Sequence, residues 1–186
     1  MVRVFGINSY ARFCLKRELR EVSWYEYIAT ELDGRVAVGN QGGATATPAS
    51  VTPIADQIGA GMAASTPEQW QASATASITG MVQTESLRAG PIEHSVTSDP
   101  GVAGRAMREL IVTDLRPELS AITAPTEVIY VAFNNPGMTP EMTDGIYAAS
   151  FANLEGVVLT RIDDSAHFIM LDQPDRLADQ INDFLD

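Results

Sequence analysis

The spacing of apolar residues changes along the chain, and the changes mark its elements. Trp24, Tyr27, Ile28 and Leu32 recur at helical intervals behind Ser23, which has capping-box spacing to Glu26, so a short helix ending at Gly34 is predicted. Residues 35–38 (Arg-Val-Ala-Val) form a short strand-like run that breaks into Gly39-Asn40-Gln41-Gly42-Gly43, a flexible turn. A loop rich in Ala, Thr and Pro follows, up to about Ser50. From there to Leu119 the pattern is helical. Ser50 is placed as the cap of a helix with Ile54, Ile58 and Met62 on one face. Thr66-Pro67-Glu68 is a second start signal, with proline at the first helical position, and Trp70, Ala74, Ile78 and Met81 then share a face. A third stretch is interrupted by Gly90 and Pro91. Asp99-Pro100 opens a fourth, with Val102, Ala106, Met107 and Leu110 expected to face inwards. Short helices of moderate hydrophobicity predict a layer lying over something else.

After Ala124-Pro125 the rhythm becomes α/β. Residues 127–131 and 157–162 are apolar runs of the kind found in strands buried on both faces. Residues 140–151 predict a helix with Met142, Ile146 and Tyr147 inward. Residues 174–185 predict a terminal helix whose stripe is Leu177, Ile181, Phe184 and Leu185. Strand, helix, strand, helix implies parallel pairing through a crossover. Internal repeats and low-complexity tracts are absent.

Composition narrows the function classes. A chain of 186 residues with 45% hydrophobic and 19% charged residues suits one globular domain, or one with a subdomain. The net charge is −12, but residues 1–20 carry five basic groups (Arg3, Arg12, Lys16, Arg17, Arg20) against Glu18, so the remainder carries −16. Such an acidic surface repels phosphate backbones and anionic membranes, and neither nucleic acid nor membrane is expected as a partner. The N-terminus lacks the apolar core of a signal peptide, and no run approaches a membrane span, so a soluble chain of open compartment is expected. The single cysteine, Cys14, excludes an internal disulfide and a cysteine-rich metal site. Its basic neighbours favour a thiolate, but no histidine is near it in sequence.

His167 is the principal chemical candidate. It follows the second C-terminal strand, in Asp163-Asp164-Ser165-Ala166-His167-Phe168. Functional crevices of open α/β sheets lie at the carboxyl ends of the strands. A histidine there titrates near neutrality and serves as a general base. Taken alone, a loop histidine is ordinarily no more than a surface residue. His94 has only adjacent Glu93 as a potential co-ligand, and no metal or cofactor is expected. Trp70, Met81 and Met107 are expected to be packing residues.

Longer blocks change the weight of His167. Asp114-Leu115-Arg116-Pro117-Glu118-Leu119, Ala124-Pro125-Thr126-Glu127-Val128-Ile129-Tyr130 and Ser165-Ala166-His167-Phe168-Ile169-Met170-Leu171-Asp172-Gln173-Pro174 together resemble the closing section of α/β-hydrolases. The resemblance covers roughly residues 48–186. It implies that the first block leaves a helical cap, that the second is the penultimate strand, and that His167 stands where the family keeps its triad base. It also implies acyl transfer to water on small esters, amides or similar substrates.

The partners of that base are harder to find. The family nucleophile sits in Gly-x-Ser-x-Gly, on a strained strand-to-helix turn. This sequence has no such motif, and Gln41 holds the middle of the one glycine frame, where an amide cannot attack a carbonyl. Residues 35–38 fit more naturally as the strand just before the cap, which leaves the elbow outside the chain. The acid position falls in Phe133-Asn134-Asn135, where asparagine orients a histidine but does not balance an imidazolium; in serine proteases that exchange costs about 10⁴ in turnover. Asp163 and Asp164 are expected to end the strand and shape the loop, and Asp114 to make a turn before Pro117.

The sequence therefore predicts a partial α/β-hydrolase fold, a short parallel sheet with flanking helices. Residues 1–34 form an N-terminal extension, and 35–186 the hydrolase domain with its cap at about 50–119. His167 is the one triad member present. A truncated or degenerate hydrolase, inactive alone, is expected, with a small-molecule substrate if complemented. The alternative is a binding or complementation module that self-associates or pairs through exposed sheet edges.

Overall fold

The computed structural model describes residues 3–6, 46–132 and 137–185. The expected helix ending at Gly34, the strand at 35–38, the glycine turn at 39–43, Cys14 and Phe133-Asn134-Asn135 lie outside the described residues.

Proline and a capping side chain start most of the early helices. α1 (Pro48–Ala63) begins one turn earlier than expected, because Thr47 rather than Ser50 is its cap. Ser50 has the reciprocal role: the Ser50 N–H donates to Thr47 Oγ1 (3.2 Å), and the Thr47 N–H donates to Ser50 Oγ (2.9 Å). α2 (Pro67–Met81) starts as predicted, with Thr66 and Gln69 capping each other. After a 3-10 turn at Glu85–Leu87 comes α3 (Ala89–Val96), which has no side-chain cap. α4 (Pro100–Val112) is capped by Asp99, whose Oδ1 accepts the Val102 N–H at 2.7 Å.

α1 and α4 pack with their backbones in near contact. A Cβ on Gly104 would stand 2.4 Å from the Gly59 carbonyl oxygen, and one on Gly59 would stand 2.8 Å from the Gly104 oxygen. Val51, Ala55 and Ile111 are buried around this crossing, flanked by Ile54, Ile58 and Met107. The inward face of α4 is thus Gly104, Met107 and Ile111, and the expectation for Val102 and Ala106 is corrected. Val102 is 55% exposed, and Ala106 is exposed too. Glycine chose that face by permitting close approach, a property that hydrophobic periodicity does not register.

Among the described residues, β1 (Arg3–Gly6) from the start of the chain and β2 (Thr126–Tyr130) and β3 (Val158–Arg161) from its second half form a three-stranded parallel sheet in the order β1-β2-β3. Glu127 stands opposite Val4 on one side and Val158 on the other. β2 is buried throughout, as its apolar run predicted. Successive side chains leave it on opposite faces. Val128 and Tyr130 join Leu115, Leu119, Tyr147 and Phe151 beneath α5 (Pro140–Ser150). Ile129 joins Ile162 and Ile169 on the other face, against Leu177 and Ile181 of α7 (Pro174–Leu185). Glu127 shares that second face. It is 1% exposed, and its Oε1 accepts both the Thr160 hydroxyl and the Gln180 amide (2.9 Å for the latter).

β3 differs from the expectation of a strand buried on both faces. Val158 is 53% exposed, because among the described residues β3 has a neighbouring strand on one side only. On α5, Met142 is 51% exposed and Thr143 is fully buried in its stead. Thr143 tolerates burial because its hydroxyl donates to the Thr139 carbonyl (3.3 Å). Tyr147 is inward as predicted, stacked on Tyr130 with centroids 4.1 Å apart and rings inclined by 25°. Leu185 is 47% exposed, so the α7 stripe ends before it.

Candidate functional site

The site grows from the carboxyl ends of β2 and β3. β3 runs into Asp163 and Asp164, and Asp164 takes a left-handed turn (φ 60°) that aspartate tolerates better than most residues. The turn is pinned from behind. Gln173 Nε2 donates to the Asp164 carbonyl (2.7 Å), and Arg176 Nη1 donates to the Asp163 carbonyl (2.9 Å). Asp163 also accepts Arg161 Nε at 2.7 Å. These two aspartates end the strand and shape the loop. The chain then passes through Ser165 and Ala166 to His167, half-buried, whose ring meets the Phe168 ring edge-on at 5.5 Å and 73°. The short helix α6 (Ile169–Asp172) follows immediately.

The loop is fastened to the far end of α2. Phe168 is buried with Ile78 and Val82, and its N–H donates to the Met81 carbonyl at 3.0 Å. Asp172 completes the attachment. Its Oδ2 accepts the N–H groups of Gln83 (3.0 Å) and Ala166 (2.9 Å), and its Oδ1 accepts that of Thr84 (2.8 Å). Burial pushes the Asp172 carboxyl upwards, but the N–H groups of Gln83, Ala166 and Thr84 outweigh it and hold the pKa below the ordinary aspartate value. Sequence reasoning passed over Asp172. Its partners at Gln83 and Thr84 are backbone amides far away along the chain, which leave no side-chain signature.

Beside this loop lies a polar network at the same end of the sheet. The Tyr130 hydroxyl donates to Asp144 Oδ1 (2.7 Å), and Arg161 bridges Asp144 and Asp163. Burial, and then the Asp144 carboxylate, push the Tyr130 phenol up to about 12, so it remains a hydrogen-bond donor at neutral pH. Hydrogen bonding to Arg161 holds the Asp144 carboxyl below its usual range.

The other residues singled out in the sequence have their own contacts. Asp114 makes a turn, accepting the Arg116 N–H (3.2 Å) and pairing with the Arg116 guanidinium at 2.8 Å. Arg116 in turn donates to the Ala46 carbonyl (2.7 Å), tying the start of α1 to the chain after α4. His94 is exposed on α3, and among the described residues no group of three His, Cys, Asp or Glu side chains is placed to hold a metal. Trp70 is buried in α2, with its indole N–H lacking a hydrogen-bond partner among the described residues. Met81 and Met107 pack against hydrophobic clusters. No described helix is long and apolar enough to cross a membrane.

No family model matches the sequence, and no curated protein is significantly similar to it. Solved structures do match the fold. The enol-lactonase from Burkholderia xenovorans LB400 superposes on 75% of this chain and 51% of its own, with a TM-score of 0.52 and 19% identity. This is a partial α/β-hydrolase fold. A thermophilic esterase from Thermogutta terrifontis matches 73% of the chain and 49% of its own length (TM-score 0.49, 20% identity). Est816, described as an N-acyl homoserine lactone degrading enzyme, matches 72% and 51% (TM-score 0.48, 18% identity). The chain therefore spans about half the length of these structures.

Proposed function

We propose that this chain is the base-bearing half of an α/β-hydrolase, with His167 as the proton acceptor of a Ser-His-acid triad. The helical segment at about residues 50–119 acts as its cap, inserted in a domain of residues 35–186. The observation that carries this reading is the position of His167 in the loop after β3, where the Phe168 N–H on one flank is bonded to Met81 of α2 and the Ala166 N–H on the other to the Asp172 carboxylate. The reaction would be acyl transfer to water on a small ester, lactone or amide. A hydroxyl attacks the carbonyl carbon, the imidazole takes its proton and returns it to the leaving group, and backbone N–H groups hold the oxyanion. These 186 residues supply the imidazole and no Gly-x-Ser-x-Gly hydroxyl. The chain is therefore expected to be inactive alone. On p-nitrophenyl acetate and butyrate, the purified chain should give no turnover above buffer. Robust turnover that His167→Ala abolishes would overturn the proposal.

The sheet favours a second reading, a complementation module. Among the described residues β1 and β3 each pair on one side only, and Val158 on β3 is 53% exposed. A strand edge of this kind recruits another chain. Size-exclusion chromatography with light scattering decides the matter: a clean monomer across concentrations would argue against self-pairing.

A further inference from the structure

We infer that Asp172 is a positioning residue, through which the end of α2 sets the orientation of the His167 imidazole. The inference rests on the proposed role of His167, but its test needs no turnover.

The geometry is a three-way clamp. Two carboxylate oxygens accept three backbone N–H groups, two from the residues just after α2 (Gln83 and Thr84) and one from Ala166. Ala166 immediately precedes His167. Phe168 immediately follows it, and its own N–H is bound by the Met81 carbonyl while its ring is buried against Ile78 and Val82. Phe168 is thus held directly by the end of α2 and Ala166 through Asp172, which is itself bound to Gln83 and Thr84, so the backbone torsions between them have little freedom left. The α2 side is itself braced. Arg88 Nε donates to the Val82 carbonyl (2.8 Å), and Arg88 Nη2 donates to the Gln83 carbonyl (3.0 Å), which fixes the peptide groups that face Asp172.

Chemistry selects a carboxylate for this place. Three converging N–H groups make a small positive concavity, and a charged acceptor with two oxygens satisfies all of them. An asparagine has the same shape but one acceptor oxygen, and its NH2 group would confront an N–H with no lone pair to offer. Removal of the charge therefore releases at least one of the two segments.

The test uses the two histidines, His94 and His167, as signal and internal reference. Imidazole resonances of the full chain are followed by NMR across neutral pH in the wild type, Asp172→Asn and Thr84→Pro. Thr84→Pro removes the Thr84 backbone and side-chain donors and leaves the carboxylate itself unchanged, and the Thr84 φ of −73° suits proline. In Asp172→Asn the His167 resonances should shift or broaden and its titration midpoint should move, while His94 is unchanged. Thr84→Pro should produce a smaller change of the same kind. A His167 spectrum and midpoint identical to wild type in both variants, with the amide signals of Gln83 and Ala166 displaced, would overturn the inference, since the clamp would then have opened without the imidazole responding. Failure of the hydrolase proposal would appear in the esterase assays instead, and would leave this spectrum untouched.

Discussion

The helical layer and the sheet are held together by opposite means. The sheet fills space with large side chains. Leu119 and Val128 are essentially sealed from solvent in one cluster with Tyr130, Tyr147 and Phe151, and Ile129 is sealed on the opposite face. The contact between α1 and α4 removes side chains, so that Gly59 and Gly104 bring two backbones together. One region is sensitive to lost volume and the other to added volume. Between them stand Asp172 and Phe168, a polar and an apolar link that join the layer to the loop of His167.

The sharpest way to break this comparison is to exchange the two kinds of damage. Ile129→Ala empties a site with no solvent exposure and should cost about 2–5 kcal/mol. A urea melt would show this as a lower midpoint with unchanged slope. Gly104→Ala should cost about 1–3 kcal/mol by overpacking, because the new methyl meets a carbonyl of the facing helix rather than a side chain that can swing away. Gly61→Ala lies on the same α1 with nothing within 4 Å, and should instead stabilise by up to about 1 kcal/mol through helix propensity. If Gly61 and Gly104 responded alike, the backbone contact would not be what shapes the layer.

The link between the regions is sharpened by pH. Asp172 is depressed in the folded chain, so its contribution is present in full above the ordinary aspartate value of about 3.9 and is lost as pH falls through its lower folded value. The stability gap between wild type and Asp172→Asn should therefore be widest near neutrality and close progressively in acid below about pH 4. A gap that stayed constant down to pH 2 would show that charge plays no part in the clamp. The smallest effect is expected at the surface. Arg108 pairs with Asp56 at 2.7 Å across α1 and α4, but both side chains are more than a third exposed. Arg108→Ala should change stability least of these variants, and less still in high salt.

Much of the architecture was legible in the sequence, for reasons that are local. Thr66-Pro67 and Asp99-Pro100 announce helix starts because a capping oxygen and a proline satisfy the same few orphan groups wherever they occur. β2 declares itself because a strand covered on both faces is mostly apolar, and its polar exceptions are satisfied, Thr126 by the Ala124 carbonyl and Glu127 by Thr160 and Gln180. His167 was found through neighbours in sequence that match a known frame. The sheet's outer strands were less legible. An apolar run looks the same at an edge as in the middle, so β3 was placed with β2 although Val158 is half exposed. β1 was missed altogether, since a four-residue strand acquires its meaning only from the partner it pairs with.

What the sequence determined by itself is the order of elements from α1 onwards, the caps of α2 and α4, and the presence of His167 after the β3 run without a Gly-x-Ser-x-Gly hydroxyl. What the tertiary structure decided is which face of each helix turns inwards, which strand stands at an edge, and which carboxylate holds the histidine loop. The physical reason is distance along the chain. Caps and periodicity act within a turn or two, whereas the meeting of Gly59 with Gly104, and of Asp172 with Gln83 and Thr84, joins residues far apart in the chain through backbone atoms that every amino acid shares.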